Sequence, residues 1–137
     1  MRCRLSGLVA VLALAGFGGG VANAAAPKPP PEQVLARMLD GRTAGAPVNC
    51  IDPRNVDTID IIDRIAIVYR LRGGRLYVNR PRVGAETLRR DQILVTRTFG
   101  TRLCSFDPVN LLESGGRFDA GFVSLGAFTP YDRPKRP

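Results

Sequence analysis

Histidine is absent from the 137 residues of this chain, which removes the usual general base of nucleophilic enzymes. A Ser-His-Asp or Cys-His catalytic centre cannot be built from this chain alone. Zinc and most transition-metal sites lose their commonest nitrogen ligand for the same reason. We therefore expect no metal, no cofactor and no enzyme of these classes. A small hydrolase using two carboxylates brought together by the fold stays open, although no pair is indicated.

The sequence also lacks the patterns of a phosphate-binding loop and of a nucleic-acid-binding surface. No glycine-rich phosphate loop is present, because Gly73-Gly74 fits a turn and Gly18–Gly20 belongs to the N-terminal leader. The chain is basic, with 20 Lys and Arg against 12 Asp and Glu, but the arginines form no run of four. Aromatic residues are not interleaved with them, so no nucleic-acid partner is expected. An anionic envelope component or another envelope protein remains a candidate partner, and a merely solvated surface is the alternative.

Residues 1–24 have the pattern of a signal peptide. Arg2 and Arg4 precede a short apolar run, Leu5–Phe17, and Ala22-Asn23-Ala24 is a small-x-small cleavage site. The apolar run is shorter than the ~20 residues needed to span a bilayer. The sequence thus predicts cleavage after Ala24 and a periplasmic or secreted protein of a Gram-negative bacterium, with no transmembrane segment after cleavage. Cys3 would leave with the leader.

Two cysteines remain in the predicted mature chain, Cys50 and Cys104. An even number of cysteines in an oxidising compartment favours a disulfide bond. A free or catalytic thiol is the alternative, but no histidine is available to deprotonate it. We predict a structural disulfide.

The segment Arg64–Arg80 predicts a β-hairpin with a two-residue Gly73-Gly74 turn. This turn would place Arg72 opposite Arg75, Arg70 opposite Tyr77 and Tyr69 opposite Val78. One face would then be apolar, and the other would be mainly polar. The apolar face would contain Ile65, Ile67, Tyr69, Leu71, Leu76 and Val78.

The polar face of this hairpin is the candidate binding site. It would bring together Arg70, Arg72, Arg75 and Tyr77, with two arginines directly opposed. A bound anion such as a phosphate or a carboxylated sugar would relieve the repulsion, and Tyr77 would offer a ring for stacking. Solvation of the loop would relieve it as well, so both interpretations stay open.

The remaining mature chain predicts an α+β, mainly β domain over residues 32–128. A proline-rich lead-in, residues 25–31, precedes an amphipathic helix, and a loose tail covers residues 129–137. A second short helix is expected at Val109–Ser114, because Asp107 and Pro108 resemble a helix start. Further strands are expected at Val48–Ile51, Thr58–Ile62, Gln92–Phe99 and Gly121–Phe128. We expect five or six strands in a small antiparallel sheet with two helices, and a barrel-like sheet is the alternative.

Three aspartates recur at every third residue in Asp57, Asp60 and Asp63. Such a cluster could bind a hard cation such as calcium. On a strand, however, Asp60 points away from the other two. Charges distributed along a strand are therefore the favoured interpretation.

Four short motifs resemble an uncharacterised family of small exported proteobacterial proteins, a domain of unknown function. They are Cys50-Ile51, LYVNRP (residues 76–81), RLCSFDPV (residues 102–109) and GFVSLGAF (residues 121–128). Many members carry two further cysteines, one of them at the position of Val123. The loss of both together implies that Cys50 pairs with Cys104. The family has no established activity, so the resemblance supports export and the disulfide but adds no mechanism.

These features together predict a non-enzymatic envelope protein that serves as a binding or structural module. An anion- or acidic-glycan-binding protein that uses the basic hairpin is the second interpretation. A small hydrolase is the third.

Overall fold

The computed structural model describes residues 26–116 and 118–134. The predicted signal peptide, residue 25 and residues 135–137 of the predicted tail lie outside these ranges. Within them, the helix α1 spans Pro31–Leu39. The strands are β1 (Thr43–Ala44), β2 (Cys50–Ile51), β3 (Val56–Ile62), β4 (Ala66–Leu71), β5 (Leu76–Asn79), β6 (Gln92–Thr96), β7 (Leu103–Cys104), β8 (Pro108–Glu113), β9 (Asp119–Ser124) and β10 (Phe128–Asp132). No helix in the described ranges is both long and apolar enough to cross a membrane.

The predicted first helix is confirmed. Pro31 occupies the first helical turn, where its missing N–H group is harmless, and Glu32 complements the N-terminal end of the helix dipole. Leu35 is buried on the apolar face. That face packs against one side of the largest sheet, where Ile62, Ala66, Val68, Leu76 and Val78 form a core cluster with it.

The largest sheet has five strands in the order β1-β10-β5-β4-β3, and all its neighbouring strands are antiparallel. The predicted hairpin is present as β4 and β5, but the observed pairing of the two strands differs from the predicted pairing by one residue. Val68 lies opposite Val78, Tyr69 opposite Tyr77 and Arg70 opposite Leu76. The Leu71 N–H group donates to the Arg75 carbonyl at 2.9 Å, so the loop has three residues, Arg72–Gly74. Gly73 and Gly74 both adopt positive φ, at 91° and 89°.

The register was mispredicted because both faces of this sheet are covered. The prediction assumed one apolar and one polar face, yet Val68 and Tyr69 point in opposite directions and both are buried. Val68 faces α1, whereas Tyr69 faces the second core cluster. In a strand buried on both faces, the alternation of apolar and polar residues no longer specifies the register.

The prediction of a second helix at Val109–Ser114 is wrong. Pro108–Glu113 instead forms strand β8, which lies between β6 and β9. The Asp107 carboxylate accepts a hydrogen bond from the Cys104 N–H group at 2.7 Å and closes a turn instead of capping a helix. Val109 and Leu111 are buried while Asn110 is exposed, which is the two-residue period of a strand. Pro108 is tolerated as the first residue of that strand.

The prediction that residues 129–137 form a loose tail is wrong for residues 129–132. Strand β10 includes Thr129–Asp132 and pairs with both β5 and β1. The folded unit therefore extends beyond Phe128. The described strands form three antiparallel sheets, of five, two and three strands, and none of them closes on itself. The expected five-stranded sheet is confirmed, and the barrel-like alternative is not.

A second core fills the space between the large sheet and the three-stranded sheet. Its fully buried members include Ile67, Tyr69, Leu111 and Phe128. Asn79 is buried beside them and exchanges two hydrogen bonds with the backbone of Gly126, at 2.7 and 3.0 Å. These two bonds connect the large sheet to the segment that joins β9 and β10.

The predicted disulfide is confirmed between Cys50 and Cys104, which face each other in the β2-β7 pair. Their Cα atoms are 4.0 Å apart, and 54 positions separate them along the chain. The bond therefore joins a segment that precedes the large sheet's hairpin to one that enters the three-stranded sheet.

Candidate functional site

The four residues of the predicted binding face do not all lie on one face of the sheet, although Arg72 and Arg75 line the same pocket. Arg70 lies on the side of the sheet that carries α1, and its guanidinium is 3.4 Å from the Asp60 carboxylate. Tyr77 lies on the other side, opposite Tyr69. Arg72 belongs to the loop, where its N–H group donates to the Asn55 carbonyl at 3.1 Å. The prediction that these four side chains share one face is wrong, because the loop contains one residue more than expected.

Two arginines outside the predicted binding face come to the same loop. The Arg42 guanidinium donates to the Gly74 carbonyl at 2.7 Å and to the Tyr131 carbonyl at 3.4 Å. The Arg133 guanidinium lies so close over Gly74 that a Cβ atom there would be 2.9 Å from its central carbon. We call the five residues Arg42, Arg70, Arg72, Arg75 and Arg133 the basic cluster.

Three members of the basic cluster border an open pocket of about 460 Å³ beside the hairpin loop. Arg72, Arg75 and Arg133 line this pocket together with Gly73 and Asp132. Arg75 is oriented by two hydrogen bonds to the Asp132 carboxylate, at 2.6 and 3.0 Å. Such a two-point contact fixes the plane of a guanidinium and leaves its other N–H groups free to donate.

Positive charge exceeds negative charge around the loop. Burial lowers the pKa of Arg42, and the positive charges of Arg133 and Arg70 lower it further, while Asp132 acts in the opposite direction. The hydrogen bonds to Asp132 and Tyr77 raise the pKa of Arg75. Two carboxylates, Asp132 and Asp60, form ion pairs with members of the cluster. Five arginines against two carboxylates leave an excess of positive charge that attracts anions.

The sequence did contain a signal for Arg42 and Arg133, since each adjoins a strand end. Arg42 directly precedes β1 and Arg133 directly follows β10. Pro130 made strand β10 difficult to recognise from the sequence, because proline has no N–H group to donate to a neighbouring strand. Here Pro130 lies opposite Tyr77 and its carbonyl accepts a hydrogen bond from the Gly45 N–H group at 2.8 Å. Recognition of this last strand would have placed both arginines at the hairpin loop.

Asp57, Asp60 and Asp63 are not brought together in the described part of the chain. Asp60 pairs with Arg70 on the helix side of the sheet, and Asp63 accepts a hydrogen bond from the Arg90 N–H group at 2.6 Å. No group of three or more metal-ligating side chains occurs in residues 26–116 and 118–134. Strand β3 lies at the edge of its sheet, where charged residues discourage pairing with other chains.

Two acidic side chains have pKa values displaced by arginine partners. A hydrogen bond from Arg80 lowers the pKa of Glu32, and hydrogen bonds from Arg54 lower the pKa of Asp52. A general acid at neutral pH requires a carboxyl group whose pKa is raised. These two carboxylates therefore do not supply the acid of a hydrolase.

Tyr69 carries an unusual polar group at the centre of the molecule. The side chain is 2% exposed, and in the described ranges its hydroxyl is the buried side-chain polar atom with no hydrogen-bond partner. Its ring meets Phe128 edge-on, with centroids 5.6 Å apart. Burial raises the pKa of the Tyr69 hydroxyl well above its ordinary value of 10.0, so the group remains a hydrogen-bond donor.

This shift predicts a loss of stability in base. Unfolded Tyr69 would ionise near pH 10, whereas the folded side chain retains its proton, so the free energy of unfolding should fall as the pH rises above 10. The slope from this one group approaches ~1.4 kcal/mol per pH unit. Urea unfolding of the wild type and of Tyr69→Phe between pH 8 and 11.5 measures it. The Phe variant should lose this part of the slope, while a Tyr77→Phe control should retain it. Identical slopes in all three proteins would contradict the assignment.

Comparison of the chain with protein-family models, curated proteins and solved structures gives no match. The resemblance to an uncharacterised exported family therefore stays a prediction.

Proposed function

We propose that this protein is a non-enzymatic, exported module of the cell envelope that binds phosphate or carboxylate groups of an anionic envelope component through the basic cluster. The observation that carries the proposal is the convergence of Arg42, Arg72, Arg75 and Arg133 on the Arg72–Gly74 loop. The N-terminal leader pattern and the Cys50–Cys104 disulfide support export.

The cluster is suited to oxyanions because its arginines come from three separate segments of a paired sheet. Strands β1, β10 and β5 are neighbours, so the positions of these arginines are held by backbone pairing. Arginine offers a planar set of donors that matches the oxygens of a phosphate or a carboxylate. An incoming oxyanion would compensate the repulsion that Arg42 experiences from Arg133 and Arg70.

The proposal is tested by charge neutralisation at the loop. The double variant Arg72→Gln/Arg133→Gln changes two exposed side chains and should fold normally. Each arginine near an anionic surface contributes ~1 kcal/mol, so binding to vesicles rich in phosphatidylglycerol should weaken about 30-fold. Co-sedimentation at low and high salt measures this loss, and wild-type binding should decrease as salt rises.

The matched control is Arg64→Gln/Arg90→Gln, which removes the same charge. Arg64 lies in the β3-β4 turn, at the opposite end of β4 from the hairpin loop, and Arg90 contacts Asp63 beside that turn. Control binding should stay within a few-fold of wild type. Equal losses in both variants would show dependence on net charge alone and would overturn the proposed site. A parallel titration with a soluble polyuronate distinguishes a glycan source of the anion from a lipid source.

A further inference from the structure

The loop between β6 and β7, residues 97–102, carries the most exposed large apolar side chain in the described ranges. Phe99 is 97% exposed. The Thr98 hydroxyl donates to the Gly100 carbonyl at 2.9 Å, and Gly100 adopts a positive φ of 136° that suits glycine. We call residues 97–102 the Phe99 loop. A single exposed ring is common on protein surfaces, so the surroundings of Phe99 decide what it can bind.

Cationic side chains flank the Phe99 ring on both sides along the chain. Arg97 and Arg102 are both exposed, and the Phe99 loop contains no acidic residue. The Arg102 guanidinium donates to the Cys50 carbonyl at 2.9 Å, which holds it against strand β2. An apolar ring between two cations suits the interface of an anionic bilayer, because the ring enters the acyl-chain boundary while the cations contact the headgroups.

The Phe99 loop lies at the same end of the molecule as the hairpin loop of the basic cluster. Val56 begins strand β3 and pairs with Leu71, the last residue of β4. The Arg72 N–H group donates to the carbonyl of Asn55, the residue before Val56. Val56 also lines a groove together with Thr98 of the Phe99 loop. The segment that enters β3 therefore connects the two loops, and both can reach one surface.

The charge at this end of the molecule complements an anionic surface. Residues 52–57, between the two loops, carry Arg54, which forms an ion pair with Asp52 at 2.8 Å, and the exposed Asp57. Together with Arg97 and Arg102 this gives three arginines against two aspartates, in addition to the positive excess of the basic cluster. A soluble polyanion would use this charge but would leave Phe99 in water. An anionic bilayer would use both, because it presents charged headgroups above an apolar interior.

We propose that the protein binds the surface of an anionic lipid bilayer, with Phe99 inserted among the lipids while Arg97, Arg102 and the basic cluster contact the headgroups. This inference rests on the proposed function and names the lipid bilayer as the source of the anionic groups.

The first test follows the environment of residue 99. The chain contains no tryptophan, so Phe99→Trp places a single fluorophore at the insertion point of the full mature protein. Binding to vesicles of phosphatidylglycerol and phosphatidylcholine should shift its emission to shorter wavelength, and lipids brominated along their acyl chains should quench it. Unchanged emission from vesicle-bound Phe99→Trp would overturn the inference.

The matched control for this test is Phe118→Trp. Phe118 is 74% exposed, and its carbonyl accepts a hydrogen bond from the Glu113 N–H group at 2.9 Å. Glu113 pairs with Gln92, the first residue of β6, so Phe118 lies at the opposite end of the three-stranded sheet from the Phe99 loop. The emission of Phe118→Trp should stay unchanged when vesicles bind, whereas an equal shift in both variants would show nonspecific adhesion and contradict insertion at Phe99.

The second test compares affinities for a bilayer and for a soluble polyanion. Phe99→Ser should weaken binding to the same vesicles about tenfold, since it removes most of the apolar surface that the bilayer buries. Its melting temperature should not change, because the ring is already in water. Binding to sodium polygalacturonate, which has no apolar interior, should equal that of the wild type. Phe118→Ser should bind both probes as the wild type does.

These measurements separate failure of the inference from failure of the proposed function. Vesicle binding that is lost in Arg72→Gln/Arg133→Gln but unchanged in Phe99→Ser would overturn insertion and leave the basic cluster as the binding site. Binding to polygalacturonate without binding to vesicles would have the same meaning and would identify a glycan as the anion. A wild type that binds neither probe would overturn both proposals. Equal losses of vesicle and polygalacturonate binding in Phe99→Ser would also overturn insertion, because the ring would then act without a bilayer.

Discussion

Replacement of Cys50 and Cys104 by alanine is expected to lower the free energy of unfolding by about 4 kcal/mol and the melting temperature by roughly 15–30 °C. The disulfide closes a long loop, because Cys104 follows Cys50 by 54 positions. The cross-link removes conformations from the unfolded chain, and this effect increases with loop length. A small domain has only ~5–15 kcal/mol of total stability. The double variant should therefore be close to unfolded at 37 °C.

Thermal unfolding followed by circular dichroism measures this effect. A Ser105→Ala variant, next to Cys104, serves as the control and should melt within a few degrees of the wild type. A shift below 5 °C in the double variant would contradict the structural role of the disulfide. Intact mass of protein from a periplasmic extract provides an accompanying check. Cleavage after Ala24 together with alkylation only after reduction would establish export, processing and the bond in one experiment.

Replacement of Asn79 by leucine is expected to cost about 2–6 kcal/mol, although both side chains have four non-hydrogen atoms in the same branched arrangement. Asn79 is fully buried, and its amide satisfies both the N–H and the carbonyl group of Gly126. Leucine would leave both backbone groups unpaired in the core, and each unpaired group costs ~1–3 kcal/mol. The two hydrogen bonds connect the segment between β9 and β10 to the large sheet, so their loss should also loosen the final strand.

The control for this substitution is Asn110→Leu, which makes the same chemical change at an exposed position of β8. Its free energy of unfolding should stay within ~0.5 kcal/mol of the wild type. Urea unfolding of both variants gives the comparison. An Asn79→Leu cost below 1 kcal/mol would show that water or backbone rearrangement satisfies Gly126 after the change.

The parts of the fold that the sequence predicted correctly depend on local signals. The periodicity from Val34 to Leu39 after Pro31 identified α1, and Gly73-Gly74 located the hairpin loop. The two mature cysteines predicted their bond. Each of these signals operates within a few residues or needs only a count of cysteines. None of them requires knowledge of how sheets are arranged.

The parts that failed depend on tertiary packing. The register of β4 and β5 could not be read from polarity, because residues on both sides of these strands are buried. The segment after Asp107 has a plausible helix start, but β6 and β9 make it a central strand. In the candidate site, too, the residues that local sequence signals predict differ from those that only tertiary packing brings in. Arg72 and Arg75 were predicted from their own hairpin, whereas Arg42 and Arg133 reach it only through pairing of strands distant in sequence.

The pairing of β1 with β10 has a consequence for timing during synthesis. Arg42 contacts the Tyr131 carbonyl across 89 positions of the chain, so these groups cannot meet until almost all of the described polypeptide has emerged. Closing so long a loop costs chain entropy before the contact is made. The basic cluster, and with it the anion site proposed above, would therefore be complete only once the residues up to Arg133 can fold back onto the segment around Arg42.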